Sequence, residues 1–244
     1  MKLLTTPTLY LGILSAAVFC CSCTRDIPQV TTLELGTGNA ATVQVFSATV
    51  KAARNYIYVD NIPVSGIALG VGGVFPATAY AFKVAPGTHT FLIKDTLPAT
   101  TQIPLTFSQN TEAGKNYTVF TYDTITSVKQ VTITNNIVIP SDTTARLRFA
   151  NFIYNKTPVP NVDVYSFRKG TAAPVFTSVA TNQVTDFIPY ATGITDTLYV
   201  YATGTTAPLL VKQAVSTLTP SRSYTAAYNG SFTGTKSVSI FATY

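Results

Sequence analysis

The sequence predicts an all-β protein arranged as two tandem antiparallel β-sandwiches. Three observations predict it. From Thr42 onward, short runs rich in the strand formers Val, Thr and Tyr alternate apolar and polar residues with a period of two. Gly, Pro and Asn turns separate these runs, and no stretch carries helical apolar spacing over a useful length. The pattern also occurs twice in the chain, at a nearly constant offset.

The repeat is read from particular residues. Tyr58 and Tyr165, Tyr117 and Tyr224, and Tyr80 and Phe187 each stand 107 positions apart, and Phe91 and Ile93 then fall on Leu198 and Val200. Upstream, Val43 and Val45 align with Leu147 and Phe149 at an offset of 104. The difference predicts a loop three residues longer in the second copy, around Tyr154-Asn-Lys-Thr-Pro-Val-Pro160.

Strands are expected near 42–50, 55–60, 80–84, 88–94, 103–107, 116–122 and 128–134 in the first copy. In the second they are expected near 145–152, 161–167, 174–178, 184–188, 196–203, 208–214, 222–229 and 236–243. The modules then span 42–140 and 141–244, with Pro140-Ser-Asp-Thr-Thr144 as the link. Asp60-Asn61 suits a tight hairpin turn, since both residue types tolerate positive φ. Alternation points Ile57, Val59, Phe91, Ile93, Val119, Val162, Val164, Leu198 and Val200 inward. Tyr117 and Tyr224 resemble the corner tyrosine of immunoglobulin-like sandwiches, a capping ring whose hydroxyl bonds to nearby backbone.

The N-terminus is a sorting signal rather than part of the fold. Lys2 precedes an apolar run, Leu9 to Phe19, that is short for a bilayer span of about 20 residues. Cys20, Cys21 and Cys23 follow at once, and no cysteine occurs afterwards. A disulfide framework or zinc site would distribute its cysteines through the fold. The run resembles a lipobox, in which a signal peptidase cuts before a cysteine that receives a diacylglycerol. Ser22 is the small residue such sites favour, so Cys23 is the expected lipidation site, 1–22 the signal and 23–41 a lipidated tether. An ordinary secretory signal and an uncleaved anchor are the alternatives. Thr24 in place of an Asp favours the outer membrane over inner-membrane retention, with the facing side left open. With Cys23 acylated, no disulfide can form, and core burial must carry the stability.

Composition excludes several classes of function. The net charge of +6 falls to +5 without Lys2, and the basic residues are scattered, with no clustered nucleic-acid footprint. Only ten acidic residues and one histidine are present. His89 alternates with Phe91 and Ile93, as an ordinary strand residue would. No Gly-x-Ser-x-Gly elbow, calcium loop, metal-ligand cluster or phosphate-cradling glycine motif occurs. No cofactor, metal or catalytic residue is expected.

Two residue sets remain as candidate sites. Tyr56, Tyr58, Tyr165, Tyr199 and Tyr201 lie on the faces opposite the core residues and could stack on sugars or dock a protein; tyrosine is also simply a good strand former. Four of the eight aspartates are followed by Thr, at Thr96, Thr124, Thr143 and Thr197. That Asp-Thr-x form resembles an envelope O-glycosylation acceptor, and equally suits ordinary strand ends.

Further motifs are Arg146-Leu-Arg-Phe-Ala-Asn151, Asn161-Val-Asp-Val-Tyr165, Val84-Ala-Pro-Gly-Thr88 and Gly114-Lys-Asn-Tyr-Thr-Val-Phe120. Together they resemble the bacterial family known as domain of unknown function 4397. The resemblance extends over nearly all of the chain after the signal. Val43-Gln-Val-Phe-Ser47 lacks the Arg and Asn of the opening strand, and Ser221-Arg222 replaces Gly114-Lys115. The resemblance implies a secreted or lipid-anchored tandem β-module and supplies no activity or site residues.

The function expected is a non-enzymatic envelope lipoprotein that presents β-surfaces for protein interaction or adhesion. The alternative is a glycan-binding accessory lipoprotein of an outer-membrane uptake system. Its partners would be the membrane through the lipid and an envelope protein or glycan. Tyrosines gathered in one concave patch favour the glycan reading, and scattered ones the scaffold. An enzyme would need His89 to meet a carboxylate and a hydroxyl nucleophile.

Overall fold

The computed structural model describes residues 39–77, 81–137, 139–168, 171–215 and 218–243. Cys23, most of the tether and Tyr80 lie outside them. Every regular element among the described residues is a strand. The first half contains β1 (Ala41–Ser47), β2 (Asn55–Val59), β3 (Ile62–Pro63), β4 (Val74–Phe75), β5 (Phe82–Val84), β6 (Gly87–Asp95), β7 (Leu105–Thr111), β8 (Asn116–Tyr122) and β9 (Lys129–Asn135). The second contains β10 (Ala145–Tyr154), β11 (Val162–Arg168), β12 (Thr171–Val179), β13 (Gln183–Val184), β14 (Ile188–Tyr190), β15 (Asp196–Ala202), β16 (Val211–Val215), β17 (Ser223–Ser231) and β18 (Lys236–Thr243).

These strands form four sheets in two sandwich-like pairs. The first outer sheet runs β3-β2-β6-β7, and the first inner sheet β4-β1-β8-β9 with β5 also on β1. The second outer sheet runs β12-β11-β15-β16, and the second inner sheet β13-β10-β17-β18 with β14 also on β10. The turn at Asp60-Asn61 forms with φ of 50° and 66°, joining β2 to β3. All nine residues expected to point inward are buried. Both corner tyrosines form as expected: the backbone N–H of Glu112 donates to Tyr117 Oη, and that of Thr219 to Tyr224 Oη, each at 3.1 Å.

Two details depart from the expectation. In an otherwise antiparallel design, β1 pairs with β8 and β10 with β17 in parallel. The three extra residues of the second copy do not lengthen a loop, since the connections 48–54 and 155–161 are equally long. They lengthen β10, adding the pairs Phe152 to Asn229, Ile153 to Gly230 and Tyr154 to Ser231 to the parallel ladder. Ladder hydrogen bonds satisfy backbone groups that a longer loop would leave to solvent.

The inner sheets are buried on both faces. Odd-numbered residues of β1 and β8, such as Val43, Val45 and Val119, pack against Ile57, Phe91 and Ile93 of the first outer sheet. Leu147 and Phe149 of β10 likewise pack against Val164, Leu198 and Val200 of the second outer sheet. The opposite faces of the inner sheets meet across a third apolar layer, built on Phe46, Phe120, Phe152 and Phe241. Phe46 stacks on Phe241 with ring centroids 5.2 Å apart, and Phe120 on Phe152 at 4.7 Å. Gly72, at φ 78°, approaches β18 so closely that a Cβ there would lie 2.9 Å from Ser239 Oγ. The two sandwiches therefore share a seam inside one compact unit.

Candidate functional site

The second outer sheet gathers an aromatic patch. In β15, Leu198 and Val200 are buried while Tyr199 and Tyr201 stand on the opposite face. In β11, Tyr165 and Phe167 share that outward parity, and Tyr165 lies directly across from Tyr199. The Tyr165 and Tyr201 rings meet edge to face at 5.8 Å, and Phe167 and Tyr199 are 5.3 Å apart. Tyr199 and Tyr201 are 6.4 Å apart with planes only 11° from parallel. Together with Ala172 and Thr206 they line a shallow cavity of about 230 Å³ without a charged group. Phe167, 39% exposed, is its most open ring of large apolar character.

Two buried carboxylates hold the surroundings of this patch. Asp163 accepts from the Ser178 and Gly204 backbone N–H groups at 2.7 and 3.0 Å and from the Thr203 hydroxyl at 3.0 Å. Burial raises its pKa, but these donors outweigh that and keep the carboxyl below its ordinary range. The contacts fix the start of the loop that brings Thr206 to the patch. Asp196, at the start of β15, accepts from Arg168 Nε at 2.8 Å and from the hydroxyls of Ser166 and Tyr190. Burial again opposes ionisation and the donors prevail, so its pKa is lowered. Burial pushes the Tyr190 hydroxyl up to about 12, which keeps it a donor. The Arg168 guanidinium also lies over the Tyr190 ring at 4.1 Å.

Of the five candidate tyrosines, the structure brings together Tyr165, Tyr199 and Tyr201. Tyr56 and Tyr58 lie on the first outer sheet, at the other end of the stack of layers, where Lys94 Nζ sits 5.0 Å from the centre of the Tyr58 ring. Sequence reasoning missed Phe167, although its position two residues beyond Tyr165 was the signal. Thr206 had no signal.

Each Asp-Thr-x aspartate has a local backbone role. Asp95 and Asp142 accept from the N–H two residues on, and Asp123 and Asp196 from the next N–H. Thr96 and Thr143 are exposed, whereas Thr124 and Thr197 are half-buried. His89 meets one of the two groups an enzyme would require. Its Nδ1 is 2.6 Å from Asp60 Oδ2, but its Nε2 faces the Ala85 carbonyl at 2.8 Å instead of a hydroxyl. Among the described residues, no group of three His, Cys, Asp or Glu is placed to hold a metal ion. No helix among them is long and apolar enough to cross a membrane.

Fold and site define a paired β-sandwich protein with an aromatic surface on its second outer sheet. The chain matches the family described as "Domain of unknown function (DUF4397)" over residues 41–165, and it belongs to that family. The match takes in the first sandwich and continues through β10 into β11. No curated protein matches the chain. Among solved structures it is similar to a family 26 carbohydrate-binding module of the Eubacterium rectale protein Amy13K, in complex with maltoheptaose. The two are 13% identical over 82% of this chain and 95% of that one, with a TM-score of 0.27. So loose a superposition bears on neither ligand nor function.

Proposed function

We propose that the protein is a non-enzymatic lipoprotein of the bacterial envelope, anchored through Cys23 to the outer membrane, and that it binds glycan on its second outer sheet. One observation carries the binding reading: Tyr165, Phe167, Tyr199 and Tyr201 gather in a single concave, uncharged patch. Aromatic faces take the C–H faces of a sugar ring, while tyrosine hydroxyls offer hydrogen bonds at the rim. The near-parallel Tyr199 and Tyr201 rings suit successive sugar units of a neutral chain. A glycan array followed by calorimetry on the full-length protein tests this. Wild type binding a neutral glycan, with at least a tenfold loss in Tyr199→Ala/Tyr201→Ala, is expected. Equal binding by the double variant, or no glycan bound at all, overturns it.

A second reading, docking of an envelope protein, is favoured by the exposure of the Phe167 ring. Phe167→Ser distinguishes the two, since it should abolish cross-linking to a protein partner and leave sugar stacking on Tyr199 and Tyr201 largely in place.

The anchorage rests on the cysteine cluster after the apolar run. Loss of membrane partitioning and of lipid mass in Cys23→Ser is the expected result, and retention of both refutes it. O-glycans, if carried, belong on the exposed Thr96 and Thr143. An intact mass of the native protein that shows lipid alone removes that extension.

A further inference from the structure

A second cleft, of about 400 Å³, opens at the seam between the sandwiches, away from the aromatic patch. Arg148 of β10 lines it and is only 2% exposed. Its Nε donates to Thr225 Oγ1 at 2.9 Å and one terminal nitrogen donates to Thr118 Oγ1 at 3.2 Å. A guanidinium carries five N–H donors, so these neutral hydroxyls leave most of its capacity unused. No carboxylate among the described residues pairs with it. Burial without a counterion lowers its pKa to about 9. The guanidinium lies over the Phe187 ring at 4.7 Å, which holds its plane against the cleft wall.

A buried, unpaired charge costs several kcal/mol and is ordinarily paired or neutralised. We propose that this cleft binds a small carboxylate ligand, whose carboxylate completes the pairing of Arg148. The fork of an arginine matches a carboxylate with two parallel hydrogen bonds. Thr134, Asn136 and Ser223 line the same cleft and offer hydroxyl and amide groups to a polyhydroxylated body. Local charge disfavours a second anionic group on the ligand. Arg146 is already turned toward Asp142 at 3.8 Å, which leaves the Arg148 fork as the cation to be matched, and the exposed Asp186 would repel any further negative charge in the cleft.

The probe is glucuronate, with glucose and sulfate as controls, added to the full-length protein and read by calorimetry and thermal shift. Glucuronate is expected to raise the Tm by about 5 °C at about 100 times its Kd, with no effect of glucose. Arg148→Met should bind at least tenfold more weakly while its ligand-free Tm does not fall. Asp186→Asn, which removes a competing carboxylate from an exposed position, should bind at least threefold more tightly. Tyr199→Ala/Tyr201→Ala should leave this binding unchanged, separating it from the patch. The proposal is overturned if glucuronate has no effect, if sulfate matches it, or if Arg148→Met retains binding. Should Arg148→Met fail to fold, unaltered or weaker binding by Asp186→Asn overturns it instead.

Discussion

The two outer sheets are the same scaffold carrying different surfaces. Tyr58 faces Leu92 across the β2–β6 ladder, and Tyr165 faces Tyr199 across the β11–β15 ladder, in the same register. At the positions 107 residues before Tyr199, Tyr201 and Phe167, the first sandwich has Leu92, Lys94 and Asp60. Lys94 covers the Tyr58 ring, whereas its counterpart Tyr201 meets Tyr165 edge to face. One shared tyrosine is thus capped by a cation in one sandwich and joined to an aromatic patch in the other. The buried positions stay apolar in both copies while exchanging size, as at Val45 against Phe149 and Phe91 against Leu198, because an unpaired polar group there would cost more than a change of volume. The outward positions were free to diverge, and the candidate site lies where they did.

The comparison can be broken most forcefully at the seam. Phe152→Ala, in the layer both sandwiches share, should cost about 3–5 kcal/mol. Phe91→Ala, inside the first sandwich alone, should cost a similar amount. Chemical denaturation of the pair shows whether the seam binds the halves as firmly as each core binds itself; a much smaller loss in Phe152→Ala would make them independent units.

The next effect is electrostatic and belongs to the second sandwich. Asp196→Ala should cost about 3 kcal/mol, because it strips the counterion from Arg168 and acceptors from two hydroxyls. The Asp196 pKa is lower folded than the ordinary 3.8. Its contribution is therefore present above about pH 4 and is lost as pH falls through the folded value. Acid titration monitored by near-ultraviolet dichroism should show the second sandwich loosening in that window, with a shallower pH slope in Asp196→Asn.

The corner tyrosines come next. Tyr117→Phe and Tyr224→Phe each remove one hydrogen bond and should cost about 1 kcal/mol. The cost should be larger at Tyr117, which is buried, than at the half-buried Tyr224. Equal values by differential scanning calorimetry would show that burial does not separate them.

The smallest stability change should accompany the most telling substitution. Leu92→Tyr/Lys94→Tyr copies the aromatic pattern of β15 onto β6 and should alter stability by no more than about 0.5 kcal/mol. If the patch is the binding surface, this variant should gain a second glycan-binding event, countable by calorimetry.

Much of this architecture was legible because period-two alternation, corner tyrosines and Asx turns are local signals. Ile57-Tyr-Val-type spacing is readable wherever one face of a strand meets solvent. It failed for the inner sheets. By alternation Gln44 and Thr118 stand opposite the core residues Val43, Val45 and Val119, yet Gln44 Nε2 donates to the Ala242 carbonyl across the seam at 2.9 Å, and Thr118 accepts from Arg148. A polar residue facing a second protein layer looks in sequence like one facing water. The parallel pairings were equally hidden, since alternation states which face is buried and not which strand lies alongside or in which direction. Three of the five tyrosines converged because they shared parity on adjacent strands. Tyr56 and Tyr58 share that parity but belong to the other sheet.

The parallel pairing of β1 with β8 also sets a timetable for folding. Thr42 must wait for Asn116, and Arg146 for Ser223, before either inner sheet can close. Closing so long a loop comes late and slowly, because its entropy is spent before any contact rewards it. Until β10, β17 and β18 have also assembled, Phe46 and Phe120 remain uncovered by the layer that finally receives them. The first half of the chain should therefore be an adhesive intermediate during synthesis, and completing the second half is what makes the first safe to leave in water.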